Sequence, residues 1–196
     1  DLLRTQLRAI LRAAADSPSA APPQLLLPMI STTREIAAFR ACLAAAVDEL
    51  QNDGLPHRAD LPVGIMVEVP AVALLADRFA SLVDFFSIGT NDLTQMTFGY
   101  SRDDINTFLP DYLSQDLLHV DPFQALDQTG VGQLVEMGVA KGRQTKNKLK
   151  VGICGEHGGD PQSVAFCHKI GLAYVSCSPY RVPVARLAAA QAALAD

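Results

Sequence analysis

VGIMVEVPAVALLADRFASLVDFFSIGTNDLTQMTFGYSRDD, residues Val63–Asp104, contains two short apolar runs, Val63–Val67 and Phe85–Ile88. Each ends abruptly in groups that a buried strand interior does not tolerate, the first at Glu68 and the second at Gly89-Thr90-Asn91-Asp92. Between the runs, Pro70 stands at a first helical position and Val72, Leu75 and Phe79 follow at helical spacing. The stretch therefore predicts a strand-helix-strand unit. A crossover of that kind directs both strands the same way, so Glu68 and Asp92 emerge at the carboxyl ends of neighbouring parallel strands. Like charges held close repel unless one is protonated or a cation lies between them. A purely oxygen ligand set favours a hard ion such as Mg²⁺ or Mn²⁺. Capping of the helices that follow is the competing use of the same two carboxylates.

Outward from this unit, the alternation continues in both directions. Leu2–Ala15 reads as an amphipathic helix with Leu3, Leu7, Ile10 and Leu11 on one side and a solvated face carrying Arg4, Arg8 and Arg12. Ser17–Pro23, with three prolines, reads as a loop. Leu25–Ile30 reads as a strand. Thr32 and Glu35 form a capping-box pattern that opens a helix to about Leu50, ended by Asn52-Asp53-Gly54. His57 and Arg58 fall in a connecting surface loop. Beyond Asp92, a helix-like LTQM leads into Phe98–Asp121, which has no sustained period but enough aromatic residues to expect an ordered segment packed over the strand ends. Asp121-Pro122 is expected to start a helix reaching about Lys141, and Lys141–Lys150 to form a basic, solvated turn. Val151–Cys154 is a strand, Asp160-Pro161 starts a helix to about Ile170, Tyr174–Cys177 is a strand and Pro183–Leu194 a final helix.

Five such alternations imply an α/β fold whose parallel sheet is covered by helices, either an open doubly wound sheet or part of a (β/α)₈ barrel. Neither a GxGxxG turn nor a P-loop occurs, which counts against a nucleotide-binding open sheet. Every polar cluster follows a strand: Ser31-Thr32, Glu68, Gly89 to Asp92, Cys154 to Gly159, and Ser176 to Ser178. Barrel active sites are built at that end. Gly89 allows close backbone approach to a ligand, while Thr90 and Asn91 can donate to carboxylate or phosphate oxygens. Cys154 can serve as an acid if its thiol keeps its proton at working pH, and is otherwise an inert half-buried thiol.

Composition narrows the classes further. The 196 residues suffice for one domain with a sizeable core, and a net charge of −5 with both signs interspersed leaves no continuous basic face for nucleic acid or an anionic membrane. No apolar run approaches the roughly 18 to 20 residues that cross a bilayer. The four cysteines show no CxxC pair and no disulfide-scaffold density, which points to a reducing compartment. The chain begins at Asp1 within a helical pattern, which suggests a piece of a longer polypeptide.

GIMVEVPA, DFFSIGTNDLTQMTFGYSRDD, VGICGEHGGDP and YVSCSPYRVPVARLAAAQ together resemble the C-terminal phosphoenolpyruvate (PEP)-binding barrel of the PEP-utilising enzymes. Enzyme I of the sugar phosphotransferase system and PEP synthase share the GTNDLTQ core, but Phe98–Asp104 and Asp121–Gly132 resemble the pyruvate, phosphate dikinase branch. The resemblance implies that residues 1–196 are the last five strand-helix units of a (β/α)₈ TIM barrel lacking its first three. It implies Mg²⁺ on Glu68 and Asp92, PEP or pyruvate against Glu68, Gly89, Thr90, Asn91 and Asp92, and Cys154 as the proton donor to the carbon that becomes the pyruvate methyl. It also implies partner domains that bind ATP and carry a phosphohistidine; nothing around His157 resembles that carrier motif, so His157 is expected to order the loop around Cys154. A homodimer through this domain is expected, in the cytoplasm or another reducing compartment such as a plastid stroma or glycosome. The arginines that hold the PEP phosphate in the family would lie on the missing strands, so the alternative is a non-catalytic piece that supplies a dimer surface and half a substrate site.

Overall fold

The computed structural model describes residues 2–16 and 22–195; most of the loop expected from Ser17 to Pro23 lies outside the described residues. Helix α1 (Leu2–Asp16) precedes strand β1 (Leu25–Leu27) and helix α2 (Thr33–Asn52). Strand β2 (Val63–Val67), helices α3 (Pro70–Leu74) and α4 (Ala76–Ala80), and strand β3 (Phe85–Gly89) form the anticipated crossover unit. Helices α5 (Thr90–Phe98), α6 (Leu109–Ser114) and α7 (Val131–Thr145) lead to β4 (Lys150–Cys154), α8 (Pro161–Lys169), β5 (Tyr174–Val175) and α9 (Val182–Ala195). The five strands are all parallel and pair in sequence order, β1-β2-β3-β4-β5.

The two faces of this sheet differ in kind. Leu25, Leu27, Val63, Ile65, Val67, Phe86, Ile88, Val151, Ile153 and Val175 alternate onto one face, where they pack in apolar clusters with side chains of the helices. Val72, Ala76 and Phe79 from α3 and α4, Val131, Val135 and Val139 from α7, and Phe166 from α8 complete the larger cluster. Leu7 and Leu11 of α1 and Leu43, Ala46 and Leu50 of α2 complete the other. The opposite face carries Gly64, Met66, Ser87, Gly89, Gly152 and Cys154. On it the Phe85 ring lies across Gly64 and the Tyr174 ring across Gly152, each within about 2.6 Å of where a Cβ would stand. A doubly wound sheet reverses its strand order and takes helices on both faces. Sequential order with helices on one face is instead the arrangement of consecutive units of a TIM-barrel-like domain.

Several local expectations change. The helix expected from Asp121 is a single turn, because Asp121 accepts from the Phe123 amide while Phe123 turns into a cluster with Ile105 and Leu109. The long helix starts ten residues later, where Asp127 accepts from the amides of Gly130 and Val131. The basic stretch is a solvated turn only at Asn147-Lys148. Lys141 and Arg143 lie on α7 and Lys146 is its C-cap; they donate to the carbonyls of Leu74, Gly171 and Val83 at 2.5, 2.6 and 2.9 Å. The face of α1 expected to be solvated also contributes to packing, since Arg4 pairs with Glu49 and Arg8 with Glu49 and Asp53 of α2 and its end. Strands β1 and β5 are shorter than anticipated. The Phe98–Asp121 segment is ordered as expected, with Phe98, Tyr100, Phe108 and Tyr112 in successive ring contacts 5.0–5.2 Å apart.

Candidate active site

The sheet register brings the predicted residues together. Met66 pairs with Ser87 and Val67 with Ile88, so Glu68 stands level with Gly89 at the next rung, and Gly89 itself pairs with Cys154. Side chains repeat every second residue along a strand, so Glu68, Gly89 and Cys154 share the face that the helices do not cover. Gly89 is the cradle: a Cβ there would lie 2.5 Å from Glu68 Oε2 and 2.7 Å from its Cβ. Glu68 is only 2% exposed. Its Oε1 accepts a 2.6 Å hydrogen bond from the Met29 amide just beyond β1. Met29 holds that amide in left-handed backbone (φ 51°), which is uncommon outside glycine.

Asp92 lies in the first turn of α5, close enough to Glu68 for the two carboxyl groups to hydrogen-bond. Burial raises the Glu68 pKa above the ordinary carboxylate range; the Met29 amide opposes this, and the hydrogen bond and charge of Asp92 reinforce it. Two carboxyl groups this close repel when both are charged, and a cation between them would relieve that repulsion. Among the described residues no cluster of three or more His, Cys, Asp or Glu side chains suited to a metal forms. Two carboxylates with the remaining positions left to substrate oxygens and water fit Mg²⁺, which usually keeps waters and takes few protein ligands. Neither carboxylate acts as a side-chain helix cap: Val69 and Gly89 occupy the caps of α3 and α5.

Cys154 ends β4 with its thiol between two partners. Its Sγ accepts from the Ser87 hydroxyl at 3.4 Å and donates toward the Ile88 carbonyl at 3.5 Å. Burial pushes the thiol pKa up, the Ser87 bond pulls against it, and the charges of Glu68 and Asp92 push it higher. The thiol is therefore protonated at neutral pH and available as an acid. By contrast Cys177 packs with Val164, Ala185 and Ala188, and Cys167 is buried with a pKa pushed up to about 12.

The turn after β4 is stitched to the turn after β3. Thr90 lies 3.1 Å from the Cys154 carbonyl, the Glu156 amide donates to Asn91 Oδ1 at 3.3 Å, and Gly155 (φ 123°) leaves no room for a Cβ beside the Thr90 hydroxyl. His157 is fully buried, between Thr90 Oγ1 at 2.7 Å and the Pro122 carbonyl at 2.8 Å. Arg181 reaches the Glu156 carbonyl at 3.2 Å, so this part of the β5 turn braces the β4 turn. His57 contacts the Leu55 carbonyl in its own loop.

Sequence reasoning missed Ser87 and Met29. Ser87 could have been found: it is the hydroxyl in the otherwise apolar run FFSIG. No pattern announces Met29, because its contribution is a backbone amide.

A family profile described as PEP-utilising enzyme, PEP-binding domain, matches residues 1–194. The chain is 50% identical over 200 residues to a pyruvate, phosphate dikinase of Clostridium symbiosum, covering 99% of this chain and 22% of that protein. It is 50% identical over 198 residues to pyruvate, phosphate dikinase 1, chloroplastic, of Arabidopsis thaliana, covering 100% and 20%. It is 51% identical over 197 residues to pyruvate, phosphate dikinase 2 of Oryza sativa subsp. japonica, covering 99% and 22%. The chain thus spans about one fifth of the length of these relatives. With the match running over nearly every residue and the strand-end cluster in place, the chain belongs to the PEP-utilising enzymes, as their PEP-binding domain.

Proposed function

We propose that the chain is the PEP/pyruvate-binding part of a pyruvate, phosphate dikinase, which interconverts ATP, phosphate and pyruvate with AMP, diphosphate and PEP through a phosphohistidine. The observation that carries this is the single rung on which Glu68, Gly89 and Cys154 stand, with Asp92 beside Glu68. In the PEP-to-pyruvate direction, the bond between phosphorus and the enol oxygen breaks and the phosphoryl group passes to a histidine nitrogen of another domain. The enolate left behind takes a proton at carbon from Cys154 Sγ, giving the pyruvate methyl, and the thiolate regains its proton from solvent. Mg²⁺ held by Glu68 and Asp92 would offset charge on the phosphate and on the enolate oxygen. Gly89, Asn91 and the backbone of Thr90 would line the substrate, the Thr90 hydroxyl being buried against His157. A Cys154 pKa above the ordinary thiol value suits this work, since the proton is present to be given.

The one-sided sheet supports completion of a (β/α)₈ barrel by three further units, with residues 1–196 as the C-terminal part of that domain. The histidine and ATP-binding domains are its partners within the longer polypeptide, and a homodimer through this domain belongs to the same proposal. Four free cysteines support a reducing compartment, cytoplasmic or, in keeping with relatives named as chloroplastic, plastid-like; a glycosome would serve equally. Among the described residues no helix is long and apolar enough to cross a membrane.

Mn²⁺ titration of the full-length protein, followed by electron paramagnetic resonance, tests the carboxylate pair. Glu68→Gln and Asp92→Asn should each weaken binding at least about tenfold, the loss of one anionic ligand being worth more than 1.4 kcal/mol. Unchanged affinity in both variants would remove the basis for the metal site.

A further inference from the structure

We propose that His157 is a positioning residue for the proton-transfer step: its Nδ1 holds the Thr90 hydroxyl, and through it the Gly89–Asp92 turn, in register with the Cys154 thiol. This rests on the proton-transfer reading above. The geometry starts from an inventory of protons. Pro122 offers a carbonyl, which can only accept, so the hydrogen bond at 2.8 Å places a proton on His157 Nε2. Nδ1 faces Thr90 Oγ1 at 2.7 Å, and the same hydroxyl lies 3.1 Å from the Cys154 carbonyl. Thr90 has one proton to donate. If the ring is neutral, Nδ1 is an acceptor and takes that proton; if the ring is charged, Nδ1 donates instead and the hydroxyl turns to the Cys154 carbonyl.

The surroundings decide between the two. Burial lowers the His157 pKa, outweighing the Pro122 carbonyl and the charges of Asp160, Asp121 and Glu156, which act the other way. The ring is fully buried and stays neutral, so the Thr90 hydroxyl is committed to Nδ1. Asp92 lies in the first turn of α5, directly after β3, and Cys154 is the last residue of β4, directly before the turn that carries His157. Beyond the strand pairing of Gly89 with Cys154, these turns meet through Thr90 with His157 and through the weaker 3.3 Å bond from the Glu156 amide to Asn91. Losing the His157 link would let the Thr90–Asp92 turn shift relative to Cys154, which the strand pairing holds in place. Misplacement on the ångström scale costs on the order of 100-fold in rate. The other ring nitrogen ties in Pro122, so His157 also connects the segment between α6 and α7 to the site.

The two ring contacts can be separated. An Asn side chain can put an acceptor oxygen near the place of Nδ1, whereas Gln can put a donor near the place of Nε2. In the full-length protein, His157→Asn should keep the rate of pyruvate methyl exchange with solvent within about threefold of wild type, while His157→Gln loses about 30- to 100-fold in kcat with KM for pyruvate little changed. Thr90→Val, which deletes the hydroxyl, should impair exchange by itself. Its effect should not add to that of His157→Gln, because both remove one contact. Equal losses in Asn and Gln variants, losses that follow melting temperature alone, or full additivity with Thr90→Val would each overturn the proposal. If His157 variants fail to fold, slow exchange in a folded Thr90→Val with Mn²⁺ affinity retained supports it, and unchanged exchange overturns it. Absence of methyl exchange in the wild-type protein would instead refute the proton-transfer reading, and the role of His157 with it.

Discussion

Gly89 has no room for a side chain, because the Glu68 carboxylate occupies the space where one would start. Gly89→Ala should therefore displace Glu68 rather than merely crowd it. With Glu68 Oε1 held by the Met29 amide, the displaced group cannot simply swing aside. Mn²⁺ affinity of the full-length protein should fall by about tenfold, or 1.4 kcal/mol, with the fold retained; unchanged affinity in a folded variant would contradict the cradle. At this scale the polar residues at strand ends were readable in sequence, because an apolar run that stops at Glu68 or at GTND signals a site. What the sequence hides is backbone support. Met29 matters for its amide and its left-handed conformation, which no side-chain pattern encodes. His157 could be expected to order its loop, but its partners Thr90 and Pro122 lie 67 and 35 residues away and only the fold brings them together.

Helix boundaries show how tertiary packing selects among equivalent signals. Asp160-Pro161 and Asp121-Pro122 look alike as helix starts. The first holds: Asp160 accepts from the Ser163 amide at 2.8 Å and α8 follows. The second gives one turn, because Phe123 is drawn into contact with Ile105 and Leu109, and Asp127 then takes over the amides of the true start. Asp160 also accepts from the Ser163 hydroxyl, which in turn accepts from the Leu126 amide, so the cap is tied to the segment before α7. Asp160→Ala should cost more than the roughly 1 kcal/mol of an isolated cap, about 2 kcal/mol, because the linked Ser163 loses its orientation as well. Urea unfolding measures this, and a loss under 0.5 kcal/mol would show that the cap carries little. Lys141 and Arg143 of α7 and Lys146 at its C-cap repeat the lesson. As a run they read as solvated charge, yet their lengths let them close carbonyls at the ends of α3 and α8 and beside β3.

For the whole molecule, five parallel strands in sequence order with helices on one side leave β1 and β5 each paired along one edge only. Among the described residues no helix covers the face bearing Gly64 and Gly152; there the Phe85 and Tyr174 rings cover the glycines, and Phe85 is itself buried. Open edges and exposed apolar side chains on this face such as Leu26 promote association. Residues 1–196 expressed alone should therefore self-associate and turn over no pyruvate, whereas a monodisperse monomer with a cooperative melt in light scattering and calorimetry would contradict this. The alternation of five strands with helices was evident from composition and caps, but sequence left open whether the sheet was doubly wound; the one-sided helical layer answers that. The claim on which the functional account turns is that Cys154 delivers the proton beside the Glu68–Asp92 pair. Its most direct test is deuterium uptake into the pyruvate methyl, followed by NMR in the full-length protein with Mg²⁺. Cys154→Ala should slow uptake by about 100-fold or more, in line with loss of a general acid, while phosphoryl transfer from PEP to the enzyme histidine persists. Uptake at a near wild-type rate in that variant would contradict the account.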